Sequence, residues 1–452
     1  MRMFTPASRV LLLAALCITS VAHAAQTDPV AKIEEYMQAT MKADRFTGAI
    51  LVARDDKILV SKGYGMADIE DDVPNAPHTK FRLGSITKQF TAAAILLLQE
   101  RGKLGVQDSV CKYVDDCPAA WQPITIHHLL THTSGIPNFT AMPDYLKTMA
   151  LPSPAKETVG RVRALPLEFK PGEKFNYSNS GYVLLGHVIE KVSGQSYEQF
   201  VRENIFKPIG MNDTGYDSGR SILKHRASGY TPDGEAFVNA AYLDMTIPHA
   251  AGALYSTVGD LYSWDQALNT EKLLTKKSLD ALFSADKNEY AYGWGVRQQF
   301  NRRNTAHGGG INGFATMISR FPEDKATVIV LSNNDRAPAS RIARDLAAIT
   351  FGEKYELPVE RAVAKVDPKV YDLYVGEYEL SPVFKITVTK EDNRLYAQAT
   401  NQPKLELFPT SETDFFLRVV KADIKFVKNE QGQVIGLALF QNGQQAPGKK
   451  IK

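Results

Sequence analysis

The chain has no surplus of charge of either sign. Its 452 residues carry a formal net charge of +3, with 53 Lys and Arg against 50 Asp and Glu. No basic run is present, which argues against a nucleic-acid binder and against polybasic attachment to a membrane surface. Long hydrophobic runs are missing too, with one exception near the start. "VLLLAALCITSV" follows Arg2 and Arg9 and ends in "AHAAQ". It is shorter than the ~20 apolar residues that a spanning helix needs. Small residues at Ala22 and Ala24 fit a signal-peptidase site, with cleavage after Ala24. Leu16 stands before Cys17, where a lipid-anchored leader wants a small residue. Residues 1–24 are therefore expected to be a signal peptide, and the mature chain to be periplasmic or secreted with no membrane span. Loss of Arg2 and Arg9 lowers the formal charge from +3 to +1.

Cysteine is scarce, at three residues. Cys17 leaves with the leader. Cys111 and Cys117 stand close together in "VCKYVDDCPAAW". In an oxidising compartment they are expected to pair, and so short a loop contributes roughly 2 kcal/mol. Two free buried thiols are the alternative. Two cysteines alone do not make a metal site, and no metal or cofactor is expected.

What is present is a large apolar fraction, 44% of the residues, enough for two domains. Pro29 to Ala43 shows helical spacing of Ile33, Tyr36 and Met37. "GAILVARDDKILVSKGYG" reads as a hairpin turning at Asp55-Asp56. A long Pro- and Gly-rich middle carries helices near Thr125–Leu130, Gly181–Val192 and Val258–Leu268. Strands return at "YGWGV", "FATMISRF" and "ATVIVLSNN". Strands first, helices in the middle and strands last predict an α/β (α+β) domain. Its mixed sheet would join the two ends of the domain, with helices on both faces and a helical subdomain inserted. Beyond "FGEKYELPVERAVAKVDP" helix signals vanish, and residues 366–452 alternate apolar and polar side chains between turns. That predicts a small all-β barrel or meander. The expected units are the leader 1–24, a domain over 25–355 and the β-domain 366–452.

Three stretches carry candidate chemistry. "FRLGSITKQF" places Ser85 and Lys88 three apart at the start of an apolar helix, so they share a face. Ser-x-x-Lys occurs five times, at Ser85, Ser109, Ser153, Ser221 and Ser284, and only Ser85 opens a long apolar helix. Ser85 is either an ordinary helix cap or a nucleophile whose proton a desolvated Lys88 can take. "KPGEKFNYSNSGYVLLGHVIEKVSG" holds Tyr177 and Asn179, the one Tyr-x-Asn of the chain. Tyr177 is a packing aromatic or a proton shuttle, and the Asn179 amide can donate and accept with a substrate amide. "NTAHGGGINGFATMISRF" sets Gly308, Gly309 and Gly310 after His307. Such glycines let backbone approach a ligand, and an open strand edge could supply oxyanion donors; a glycine-rich turn is the alternative. His128 and His132 have the i, i+4 spacing of metal ligands on a helix, but no Glu lies between them and no third ligand is apparent. They are expected to be structural histidines near the site entrance.

Taken together, Ser85-x-x-Lys88, Tyr177-x-Asn179 and His307-Gly308-Gly309 resemble, in order and approximate spacing, the serine β-lactamase and penicillin-recognising family. The likeness is to its class C-like branch of β-lactamases, D-alanyl-D-alanine carboxypeptidases, D-aminopeptidases and esterases. "ITIHHLLTHTSGI", "SGQSYEQFVRENIFKPIGM", "AAGALYSTVGDLYSW" and "YGWGV" look like the same branch, and the likeness covers roughly Ile33 to Ile349. The resemblance implies a β-lactamase/transpeptidase-like fold. It implies Ser85 as acylated nucleophile, Lys88 as its activator and Tyr177 as proton shuttle. Asn179, His307 and Gly309 would bind substrate, with an oxyanion hole from the N–H groups of Ser85 and Gly310. The family often has hydroxyl residues after the Lys or His of its third motif, where this chain has Gly308 and Gly310. Weak recognition of a substrate carboxylate is therefore expected, with an ester, amide or peptide as partner. A β-lactamase or D,D-carboxypeptidase is the alternative, and a penicillin- or cell-wall-binding protein without turnover is the alternative of another class.

Overall fold

The computed structural model describes residues 28–452 apart from 235, 401, 403, 419, 421, 442 and 443. The expected leader, 1–24, lies outside the described residues. Helix Pro29–Ala43 opens with Asp28, whose side chain accepts the Val30 N–H, and with proline in its first turn. Ile33, Tyr36, Met37 and Thr40 form its buried stripe. The helix lies on a six-stranded sheet. Strand order is Gly295–Gln299, Arg302–Ile311, Phe314–Phe321, Ala326–Ser332, Gly48–Arg54, Lys57–Tyr64. The first and last parts of the domain meet where Gly48 pairs with Ser332 and Arg54 with Ala326.

Gly48–Arg54 reads as an unbroken apolar run because both of its faces are covered. Ala49, Leu51 and Ala53 join the core with Ile318, Ile329 and Leu331 under helices Thr87–Glu100 and Asn179–Ser193. Ile50 and Val52 join Val328, Val330, Ile33, Ile342 and Leu346 on the other face. The hairpin turns at Asp55 and Asp56, both at positive φ (53° and 60°), as a two-residue loop of matching twist requires. The expected sheet with helices on both faces is present, but a mixture of strand directions is not. Every neighbouring pair in it is antiparallel. The physical reason is the connections: the strands from Gly295 onward follow one another through short turns, which permit only antiparallel pairing.

The chain between the hairpin and Gly295 builds the helical part. Expected helices are found at Ile126–Leu130, Asn179–Ser193 and Val258–Ala267. Helix Ala339–Phe351 ends on left-handed Gly352. Beyond it, eight strands from Gly376 to Lys450 close into a barrel, with Gly376–Ser381 pairing back onto Gln444–Lys450. Its interior is filled by side chains such as Tyr374, Tyr378, Val388, Leu395 and Phe426. Cys111 and Cys117 are joined by a disulfide at the surface of the helical part. Among the described residues no helix is long and apolar enough to cross a membrane. Among the same residues no group of three or more His, Cys, Asp or Glu side chains converges as a metal site.

Candidate active site

Ser85 does not cap the helix that follows it. It occupies a 3₁₀ turn, Gly84–Ile86, that runs without a break into helix Thr87–Glu100, whose first turn makes no side-chain capping bond. Its hydroxyl is left for other partners. Gly84 holds the turn at φ 54°, and a Cβ there would fall 2.9 Å from the Gly310 nitrogen. That close approach of backbone to backbone sets the serine against the strand edge.

One helical turn on, Lys88 has no exposed surface. Its Nζ lies 3.0 Å from Ser85 Oγ, 2.8 Å from Asn179 Oδ1 and 2.9 Å from the Ala251 carbonyl oxygen. The two carbonyl oxygens can only accept, so they take two N–H donors. The serine hydroxyl can donate, so the third direction suits a lone pair on a neutral amine. Burial agrees, because it pushes the Lys88 ammonium well below its ordinary range.

Tyr177 precedes helix Asn179–Ser193, and its ring centroid is 4.8 Å from Lys88 Nζ. Burial raises its phenol above the ordinary range, and a hydrogen bond with Ser85 opposes that shift. Ser85 Oγ is thus within reach of both the amine and the phenol. Asn179 begins the helix. Its N–H donates to Asn138 Oδ1 at 3.1 Å, and its Nδ2 donates to Thr140 Oγ1 at 3.3 Å.

The third segment lies in strand Arg302–Ile311. Its neighbour Gly295–Gln299 pairs only as far as Ala306, so residues 307–311 present an unpaired edge on that side. Gly309 is required by packing, since a Cβ there would meet the Leu83 oxygen at 1.9 Å. At Gly310 the same position is open, with no atom within 4 Å. His307 Nδ1 donates to the Gly308 carbonyl at 2.6 Å, which leaves Nε2 to accept from the Tyr290 hydroxyl at 2.9 Å. Burial depresses its pKa to about 4, so the ring is neutral at pH 7. Both ring nitrogens of His307 are thus engaged.

Several residues escaped the sequence reading. Asn138, Thr140 and Ala251 anchor Asn179 and Lys88, and Tyr290 donates its hydroxyl to His307 Nε2. Only Ala251 and His132 lie in stretches already singled out. His132, expected near the entrance, is instead buried against the Tyr177 ring at 4.2 Å between centroids. His128 remains peripheral, bonding the Thr125 N–H in a capping box.

Residues 31–351 match the β-lactamase family model, and residues 360–450 match that of a domain of unknown function, DUF3471. Penicillin-binding protein 4* of Bacillus subtilis (strain 168) is 34% identical over 438 residues, covering 90% of this chain and 96% of that protein. Among solved structures, the octameric penicillin-binding protein homologue from Pyrococcus abyssi superposes with a TM-score of 0.66 at 29% identity, covering 93% of this chain and all of that one. A D-stereospecific amidohydrolase from Streptomyces sp. gives a TM-score of 0.60 at 25% identity, covering 71% of this chain and 99% of its own.

Proposed function

The chain belongs to the serine β-lactamase and penicillin-binding-protein family, whose members are serine hydrolases of amides, esters or peptides, and from that premise we propose that it is an exported hydrolase of the class C-like branch, cleaving esters or D-amino-acid amides that lack a carboxylate beside the scissile bond. The observation that carries this reading is the threefold contact of Lys88 Nζ with Ser85 Oγ, Asn179 Oδ1 and the Ala251 oxygen. A neutral amine in that setting takes the serine proton as the Oγ–carbon bond forms. The oxyanion develops toward the N–H groups of Ser85 and Gly310. The leaving oxygen or nitrogen takes a proton from the Tyr177 hydroxyl, and Lys88 passes the serine proton to the phenolate, so the leaving group departs protonated and both side chains are neutral again. Water then cleaves the acyl-serine by the reverse path: its proton passes through Tyr177 to Lys88 and on to Ser85 Oγ as the acyl–oxygen bond breaks. Asn179 meets the substrate amide, with its Nδ2 released from Thr140.

The third motif supports the choice of substrate. His307 is neutral, and Gly308 and Gly310 carry no hydroxyl, so none of the three offers a carboxylate a charge-assisted bond from its side chain. The likeness to the D-stereospecific amidohydrolase from Streptomyces sp. favours an amide. Turnover of a short-chain aryl ester and of a D-amino-acid anilide, measured beside a cephalosporin, tests this. Ester or anilide cleavage well above cephalosporin hydrolysis is expected. Efficient cephalosporin hydrolysis with poor cleavage of the other two overturns it.

A further inference from the structure

His132 follows the short helix Ile126–Leu130 and has a left-handed backbone, φ 58°. Two of its acceptors face the segment that carries Tyr177. The Asn176 N–H donates to the His132 carbonyl at 2.9 Å, and the Ser178 N–H donates to His132 Nδ1 at 3.1 Å. The residues on either side of Tyr177 are therefore tied to a single residue. The imidazole also lies against the phenol ring, tilted by 37° at 4.2 Å. Tyr290, Tyr182 and Phe175 enclose it at 4.8, 5.1 and 5.9 Å between centroids.

Accepting at Nδ1 leaves the ring proton on Nε2, which is buried with no hydrogen-bond partner among the described residues. An unmet buried polar atom costs stability. An apolar side chain would avoid that cost, but it would give up the Nδ1 bond. Burial holds the ring neutral, which keeps Nδ1 an acceptor.

We propose that His132 is a positioning residue for acyl transfer: through Nδ1, its carbonyl and its ring face it holds the Tyr177 phenol beside Ser85 and Lys88 without touching the reacting atoms. This rests on the reading of Tyr177 as proton shuttle. It gives the histidine a specific geometric duty, separable from general packing by the position of one acceptor atom.

The variants His132→Asn and His132→Gln in the full chain separate the two. Asn puts its Oδ1 near the place of Nδ1 and tolerates the left-handed backbone. Gln carries its carbonyl farther out, toward the place of Nε2. His132→Asn is expected to keep kcat close to the parent value. His132→Gln is expected to lower kcat about 100-fold, the cost of a misplacement near 1 Å, with KM little changed and slower labelling of Ser85 by an aryl phosphonate. Wild-type kcat in His132→Gln overturns the proposal, as does an equal loss in both variants. ¹⁵N NMR of histidine-labelled parent protein needs no variant: Nδ1 of His132 is expected unprotonated, and a protonated Nδ1 overturns the proposal. Tyr177→Phe keeps the two readings apart. Full activity in Tyr177→Phe removes the reading beneath, whereas an inactive Tyr177→Phe beside a fully active His132→Gln removes only the positioning role.

Discussion

The two β systems of this chain treat edges and interiors in opposite ways. The C-terminal strands close on themselves, so among the described residues the barrel has no edge strand for another chain to pair with. The barrel interior is packed with tyrosine, phenylalanine and aliphatic side chains. The N-terminal sheet stops pairing at Ala306 and leaves residues 307–311 open beside Ser85. Behind that edge its core accepts the amine of Lys88, wholly buried. An open edge and a desolvated amine are both costly. The catalytic domain carries the two together at one place, and the barrel avoids both. The contrast marks which half does chemistry, and variants in each half can break it.

The largest effect is expected from Lys88→Met, which keeps length and loses the amine. Turnover should fall about 10³-fold, within the range of a lost general base. The pH dependence of stability should change with it. The folded pKa of Lys88 lies below the ordinary 10.5. The unfolded chain therefore binds a proton that the folded amine refuses, and stability rises with pH between the folded value and 10.5. Thermal unfolding of the variant across the alkaline range should lack that rise. Phe426→Ala is the opposite probe. Phe426 stacks on Tyr374 at 4.2 Å and touches Phe415 and Tyr378. Its loss should lower barrel stability by about 3–5 kcal/mol in denaturant melts and leave kcat unchanged. A matching loss of activity would erase the contrast.

Gly309→Ala should come next. Its Cβ collides with the Leu83 carbonyl two residues before the nucleophile, so a shift of the strand should lower kcat about 100-fold. Gly310→Ala, with open space at the same point, should leave thermal unfolding unchanged. The smallest effect concerns His307. Its folded pKa is about 4, so the unfolded imidazole binds a proton that the folded ring refuses. Stability should fall as pH drops from the ordinary histidine value, about 6.5, toward 4. His307→Gln should lose less stability over that window in pH-dependent melts.

Much of this arrangement is legible in the sequence because it is local. Ser85 and Lys88 share a face by helical spacing alone, and the alternation of Gly48–Arg54 between two covered faces follows from its unbroken apolar run. The barrel strands declare themselves by period-two patterning. What could not be read depends on chain segments far apart. Tyr290 reaches His307 only once the strand at Gly295 has folded back. His132 meets Tyr177 across the 44 residues between them, by tertiary packing that no spacing rule encodes. The choice between cap and nucleophile for Ser85 turned on one 3₁₀ turn, whose geometry Gly84 permits but does not announce.

Mass spectrometry after incubation with an aryl phosphonate tests the central claim most directly, with peptide mapping of the adduct across pH. One adduct is predicted, on Ser85, forming faster as pH rises and Lys88 loses its proton, and absent in Ser85→Ala. A folded protein that takes no adduct, or takes it on another serine, would contradict the account.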